Sequence, residues 1–214
     1  MAITTYAELQ TAIATWLRPG TASTSGLQIT DFIALFESRA NRMLRLRTME
    51  SDESVVCVVS SRYIALPSGY LEPIAFYLTD QNPREELRYR LPTQLQVIDD
   101  SNRPQQWAID GTNIAFDCPA DQAYTATFRM FERFALSVSS TTHWLLTNHP
   151  DVYLYGSLLN AAPYVRDSQM LAVWKGFVEE ALTEIQHREG VARGMADLVT
   201  DVPTSRHYSN ILRG

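Results

Sequence analysis

Ser54-Val55-Val56-Cys57-Val58-Val59 is the stretch at which the chain changes its period. Val55 to Val59 is a β-branched run around Cys57, and such side chains fit a pleated surface better than a helix. Arg62-Tyr63-Ile64-Ala65-Leu66 follows and ends at the turn signal Pro67-Ser68-Gly69, so both segments read as strands. Leu71 to Leu78 stays apolar, Leu87-Arg88-Tyr89-Arg90-Leu91 alternates, and Pro92 to Asp100 reads as a short helix. Trp107-Ala108-Ile109, the turn Asp110-Gly111, Asn113-Ile114-Ala115-Phe116 and the alternating Tyr124 to Phe131 suggest a meander of short antiparallel strands. A β-rich insertion is therefore expected over about residues 54–135.

Helical patterns stand on both sides of it. Upstream, Thr5 and Glu8 have capping-box spacing, and Tyr6, Leu9, Ile13 and Trp16 recur at helical steps up to Arg18-Pro19-Gly20, which predicts a helix over 5–17. The small, polar Thr21-Ala22-Ser23-Thr24-Ser25-Gly26 reads as a flexible loop. A second helix, over 30–50, opens at Thr30 or Asp31 and puts Phe32, Phe36, Ala40, Met43 and Leu44 on one stripe. Arg39, Arg42 and Arg45 line another.

Downstream, His149-Pro150-Asp151 suits a helix start, and Val152, Tyr155, Leu158, Leu159 and Ala162 give the helix over 151–163 its core stripe. A last helix over 168–188 starts near Asp167-Ser168 and buries Leu171, Trp174, Phe177 or Val178, Ala181 and Ile185 before a stop at Gly190. Residues 191–214 hold Gly194, Pro203 and one late apolar pair, Ile211-Leu212, and read as a tail that orders on a partner. The expected fold is α+β: a helical bundle from the N- and C-terminal helices, with a β-rich insertion and an extended C-terminal tail. The division is a domain over 1–190 and a tail over 191–214.

A 214-residue chain with 45% apolar and 20% charged residues can bury a core without disulfides or metals. Its net charge of −6, from 24 acids against 18 bases, argues against a protein built to grip nucleic acid. Cys57 and Cys118 lie in separate apolar stretches without CxxC spacing and read as buried, reduced thiols. Met1-Ala2-Ile3-Thr4-Thr5 has no cationic and apolar leader pattern, and no run of about 18 apolar residues exists, so a soluble protein made in the cytoplasm, off the membrane, is expected.

Catalytic patterns are missing from the residues. Gly156-Ser157, the nearest approach to a nucleophile elbow, falls inside a predicted helix. His143 and His149 flank Trp144 and precede Asp151, yet no further metal ligand stands at a recognised spacing, so they read as a loop and a helix cap. Phosphate-binding glycine loops are missing too, and Glu179-Glu180, Glu184 and Glu189 fit a solvated helix face. Trp144, Tyr153, Tyr155, Tyr164 and Trp174 mostly fall on helical stripes and read as core. No catalytic residue, cofactor site or metal site is expected, and a hydrolase is the remote alternative. The arginine row Arg39, Arg42, Arg45, Arg47, with no acid between its members, could meet an acidic partner surface or face a DNA channel, or simply be a solvated helix face.

Three stretches carry a family resemblance. Thr4-Thr5-Tyr6-Ala7-Glu8-Leu9, the run Phe32-Ile33-Ala34-Leu35-Phe36-Glu37-Ser38-Arg39-Ala40-Asn41-Arg42, and Trp144 through Gly156 (WLLTNHPDVYLYG) are similar to tailed-phage head-to-tail adaptor (connector) proteins. Leu66-Pro67-Ser68-Gly69-Tyr70-Leu71-Glu72 resembles that family's strand-to-turn element, and Ile109-Asp110-Gly111-Thr112-Asn113-Ile114 its hairpin. The likeness covers roughly residues 4 to 188. The polar loop at 21–26 is longer than the family pattern, and the tail after Gly190 matches no motif.

The resemblance implies a virion structural protein at the neck between capsid and tail: a dodecameric ring that docks on the portal protein, contacts a tail or nozzle protein, and lets double-stranded DNA pass without sequence-specific binding. A tail-completion or stopper protein of the same particle is the alternative. On this reading Arg39, Arg42, Arg45 and Arg47 form a subunit or channel face. Arg206, Tyr208, Ile211, Leu212 and Arg213 of the tail anchor the chain on the portal.

Overall fold

The computed structural model describes residues 3–17, 28–80, 82–165 and 168–197. In chain order the elements are α1 (Tyr6–Leu17), α2 (Ile29–Met43), β1 (Glu50–Cys57), β2 (Tyr63–Ala65), β3 (Tyr70–Leu78), β4 (Glu85–Tyr89), β5 (Gln106–Asp110), β6 (Asn113–Phe116), β7 (Tyr124–Glu132), α3 (Trp144–Asn148), α4 (Pro150–Val165) and α5 (Ser168–Asp197).

The strands make one seven-stranded sheet in the order β1-β7-β3-β4-β5-β6-β2, antiparallel throughout except for β4 against β5. Its two outer strands, β1 and β2, come back into contact, so the sheet curls into a nearly closed barrel. Along β7 alternate residues Tyr124, Ala126, Phe128 and Met130 point inward, and Phe76, Trp107 and Phe116 meet them there. The rings of Phe76 and Phe116 lie 5.4 Å apart at a steep angle, as do those of Trp107 and Phe128 at 5.5 Å. The one polar atom of the buried Trp107 ring, its Nε1–H, donates to the Leu87 carbonyl at 3.1 Å.

The helices form a second core of their own, around Leu9, Ile13, Ile33, Phe36, Tyr153 and Leu158. α4 is central: α1, α2, α3 and α5 all pack on it. Gly156 makes the α2–α4 contact possible, because a Cβ there would fall 2.2 Å from the Phe36 ring. The α1 capping box forms as its spacing predicts. Glu8 Oε2 accepts from the Thr5 amide at 3.0 Å, and Thr5 Oγ1 accepts from the Glu8 amide at 3.3 Å.

This architecture overturns the expected helical bundle with a β-rich insertion: the fold is mixed, with a barrel-like sheet and, among the described residues, five helices beside it. The physical reason is that the strands do not lend one apolar face to the helices. They turn those faces on one another and bury a separate core. Three boundaries move as well. The helix expected over 30–50 ends at Met43, since Leu44 and Leu46 are both buried two residues apart, which extended chain achieves and a helix does not. A 3₁₀ turn, Arg47–Met49, then leads into β1, which starts at Glu50. The helix expected over 92–100 shrinks to a 3₁₀ turn at Pro92–Gln94. The last helix passes straight through Gly190 to Asp197, so the division drawn at residue 190 falls inside α5. The predicted loop at 21–26 lies outside the described residues.

Candidate docking surfaces

α2 has a packed face and a face turned to solvent. On the packed side, Glu37 and Asn41 stand one turn apart among apolar residues, and both hold the segment that leads from β7 to α3. Glu37 Oε1 accepts from the Leu136 amide at 2.7 Å and from the Tyr153 hydroxyl at 3.1 Å. Asn41 pairs with both backbone groups of Phe134: its Nδ2 donates to the carbonyl at 2.8 Å and its Oδ1 accepts from the amide at 3.1 Å. Burial pushes the Glu37 carboxyl up to about 7, against the lowering pull of its two hydrogen bonds. Sequence reasoning gives neither side chain a role. Their one visible signal is a polar pair at i, i+4 flanking the apolar Phe36 and Ala40.

His143 belongs to the same joint. It is the N-cap of α3, with Nδ1 accepting from the Leu145 amide at 3.3 Å, and its ring stacks on Phe134 with centroids 4.6 Å apart. Burial lowers it to about 4. His149 is the C-cap of the same helix, so the loop-and-cap reading of these two histidines holds.

The arginine row is split by the end of α2. Arg45 lies beyond it and closes it: Nη1 donates to the Asn41 and Leu44 carbonyls, and Nη2 meets Glu72 Oε1 at 2.6 Å. That contact holds the Glu72 carboxyl below its ordinary range. Arg47 reaches Glu189 of α5, at 3.1 Å from its Nε, and its backbone amide donates to the same carboxylate. Arg45 and Arg47 thus tie α2's exit to β3 and α5.

Arg39, half-buried, and Arg42, exposed, stay on the outer face of α2 with Leu35. Arg42 Nη1 lies 3.1 Å from Ser38 Oγ, and among the described residues no carboxylate is within ion-pair distance of Arg39 or Arg42. Of the aromatic stretch, Tyr153 and Trp174 are core, Trp144 and Tyr155 are half-buried, and Tyr164 is exposed. On α5, Trp174, Val178, Leu182 and Ile185 pack inward, while Phe177, the alternative to Val178, faces out at 45% exposure.

Ser157 is fully buried inside α4, its hydroxyl without a hydrogen-bond partner among the described residues, a position no substrate reaches. Cys57 and Cys118 are buried free thiols, and burial, with Asp80 nearby, pushes Cys57 up to about 12. Among the described residues no group of three or more His, Cys, Asp or Glu side chains is placed to hold a metal ion, and no helix is long and apolar enough to cross a membrane. A groove of about 430 Å³ between sheet and helices is lined by Gly69, Glu132, Arg133 and His143 among others. The proposed tail anchors Arg206, Tyr208, Ile211, Leu212 and Arg213 lie outside the described residues.

Comparison with protein families places this geometry. The model of the SU10 adaptor protein family matches residues 4–201, which takes in the helices and the whole barrel. The chain belongs to the SU10 adaptor protein family. Comparison with curated proteins gives no match. As a member of this adaptor family the chain is a structural component of a phage particle, and it interacts with other components of that particle. The likeness in Thr4–Leu9, Phe32–Arg42 and Trp144–Gly156 therefore reflects membership.

Proposed function

We propose that this SU10-family adaptor works by assembly alone, without making or breaking bonds. Copies of the chain form a ring, of dodecameric size, that docks on the portal protein at the head-to-tail neck and carries the DNA channel on toward a tail or nozzle protein. The observation that carries the reading is the family match over residues 4–201, spanning both bodies of the molecule. The placement of the ionisable groups supports it. Glu37, His143, Arg45 and Arg47 are spent on internal joints, while the outer faces of α2 and α5 keep apolar and charged side chains for neighbours. The net charge of −6 suits DNA that passes and is not gripped.

Residues 198–214 act as a portal-binding extension, with Arg206, Tyr208, Ile211, Leu212 and Arg213 as anchors. Mixing the purified chain with its cognate portal and following the product by native mass spectrometry tests this. The expected outcome is a portal ring carrying a full ring of adaptors, lost when the chain is cut after Asp197, which leaves α5 whole. An intact chain that ignores the portal contradicts the reading and points to a completion or stopper protein on the tail side.

A further inference from the structure

The outer faces of α2 and α5 carry matching patterns of opposite sign. On α2, Leu35 is 57% exposed, and Arg39 and Arg42 follow it four and seven residues on, along the same stripe. On α5, Phe177 is followed three and seven residues on by Glu180 and Glu184, again along one stripe. Each helix thus reads apolar first and charged next, in the same N-to-C direction. Arg39 and Arg42 have no carboxylate partner among the described residues, and neither has Glu180 a cation. Among the described residues Glu184 meets Arg188 alone, in an exposed i, i+4 pair that is cheaply exchanged.

Inside one molecule the two stripes do not pair: among the described residues no ion pair joins Arg39 or Arg42 to Glu180 or Glu184. α2 and α5 each pack extensively on α4, with no comparable contact between them, and they approach where Arg47, just past α2, meets Glu189. Two complementary patches left unpaired within one copy are what a head-to-tail interface can use, and such an interface closes into a ring when the rotation between copies allows it.

We propose that the α2 face of one copy docks on the α5 face of the next, side by side and parallel, with Leu35 against Phe177 and Arg39 and Arg42 against Glu180 and Glu184. The inference rests on the ring reading above and names its subunit contact. The apolar pair supplies buried area at the centre, and the charges set register and exclude the reverse pairing. The aromatic edge continues on α5's side, where the Phe177 ring meets Tyr155 at 5.0 Å and Tyr155 meets Trp16 at 5.9 Å.

Two charge-reversed full-length chains test the pairing, R39E/R42E and E180R/E184R, with sedimentation velocity across a concentration series. Wild type is expected to self-associate, more weakly as salt rises. Each variant alone is expected to associate roughly tenfold more weakly or worse. Their equimolar mixture is expected to regain association, because every contact in an alternating chain is again opposite in sign. A further full-length variant, R42C/E184C, treated with a short bismaleimide linker, is expected to give a ladder of dimers, trimers and larger species, since Cys57 and Cys118 are buried. Wild-type oligomers that persist in both reversed variants, with no ladder from the cysteine pair, overturn this contact and leave the ring standing. A wild-type chain that is monomeric throughout, with no ladder and no ring on the portal, overturns both.

Discussion

The barrel and the helical body are held together in different ways. Phe76, Phe116, Phe128 and Met130 fill the barrel's interior, Trp107 satisfies its own N–H against Leu87, and the buried Asp117 just past β6 accepts from the Gln105 amide. The helical body buries a carboxyl at Glu37, an amide at Asn41 and, at Ser157, a hydroxyl without a hydrogen-bond partner among the described residues. It also leaves Leu35, Trp16 and Phe177 half in water. The barrel too leaves apolar side chains in water, Val56, Tyr63 and Tyr89 among them, so exposed apolar surface does not by itself separate the two bodies. What sets the helical body apart is its titratable joint, where Glu37 and His143 hold the segments on either side of α3.

The largest effect expected from breaking this contrast is in the barrel. Phe76→Ala removes a ring that touches Trp107, Phe116 and Phe128, and should cost about 3–5 kcal/mol by urea denaturation. A loss near zero would mean that the interior is loosely packed. Next is the joint: Asn41→Ala strands the buried amide and carbonyl of Phe134 and should cost about 2–3 kcal/mol. Hydrogen exchange should then speed up over residues 133–137 and stay unchanged in the sheet.

The joint should also answer to pH, with two opposed contributions. Glu37 is raised from 4.5 to about 7, so the stability it supports is whole below about pH 4.5 and is lost as pH climbs toward 7. His143 is lowered from 6.5 to about 4, so its share is whole above pH 6.5 and is lost as pH falls toward 4. Between those limits the two slopes cancel in part. Glu37→Gln keeps an acceptor for Leu136 and Tyr153 but cannot ionise. It should therefore remove the loss on the alkaline side, about 2 kcal/mol after allowing for partial solvent access, as read from denaturation at pH 5 and pH 8. His143→Asn, which retains a capping acceptor, should remove the loss on the acid side. An unchanged pH profile in either variant contradicts its assignment.

How far the sequence could show this follows the same division. The α1 cap, the strand at Val55 to Cys57 (though not on to Val59), the Asp110-Gly111 turn with its positive φ at Gly111 and the buried cysteines all rest on local chemistry, and local spacing revealed them. The start of β1 was hidden because Glu50 to Ser54 is wholly polar. Those residues pair with β7 through Arg129, which meets Glu50 at 2.7 Å and Asp52 at 3.6 Å, a partner 79 residues away from Glu50. Closure of the sheet depends on β4 lying parallel to β5 and on β1 meeting β2, neither of which a strand's own alternation encodes. The roles of Arg45 and Arg47 depended on where α2 stops, and Glu37 looked like one acid among many until Leu136 and Tyr153 were seen beside it.

The smallest effect sharpens the contrast from the other side. Lys175→Ala removes an exposed i, i+4 pair with Glu179 at 3.7 Å and should shift stability by less than about 0.5 kcal/mol, within the scatter of a thermal melt.

Hydroxyl-radical footprinting of the chain alone and assembled on its portal tests the central claim most directly, because it reads exposed side chains in both bodies at once. If the helical body carries the subunit contacts, Leu35 and Phe177 lose reactivity on assembly while Tyr63 and Tyr89, exposed on the barrel, keep theirs. Protection confined to Tyr63 and Tyr89, with Leu35 and Phe177 unchanged, would contradict it.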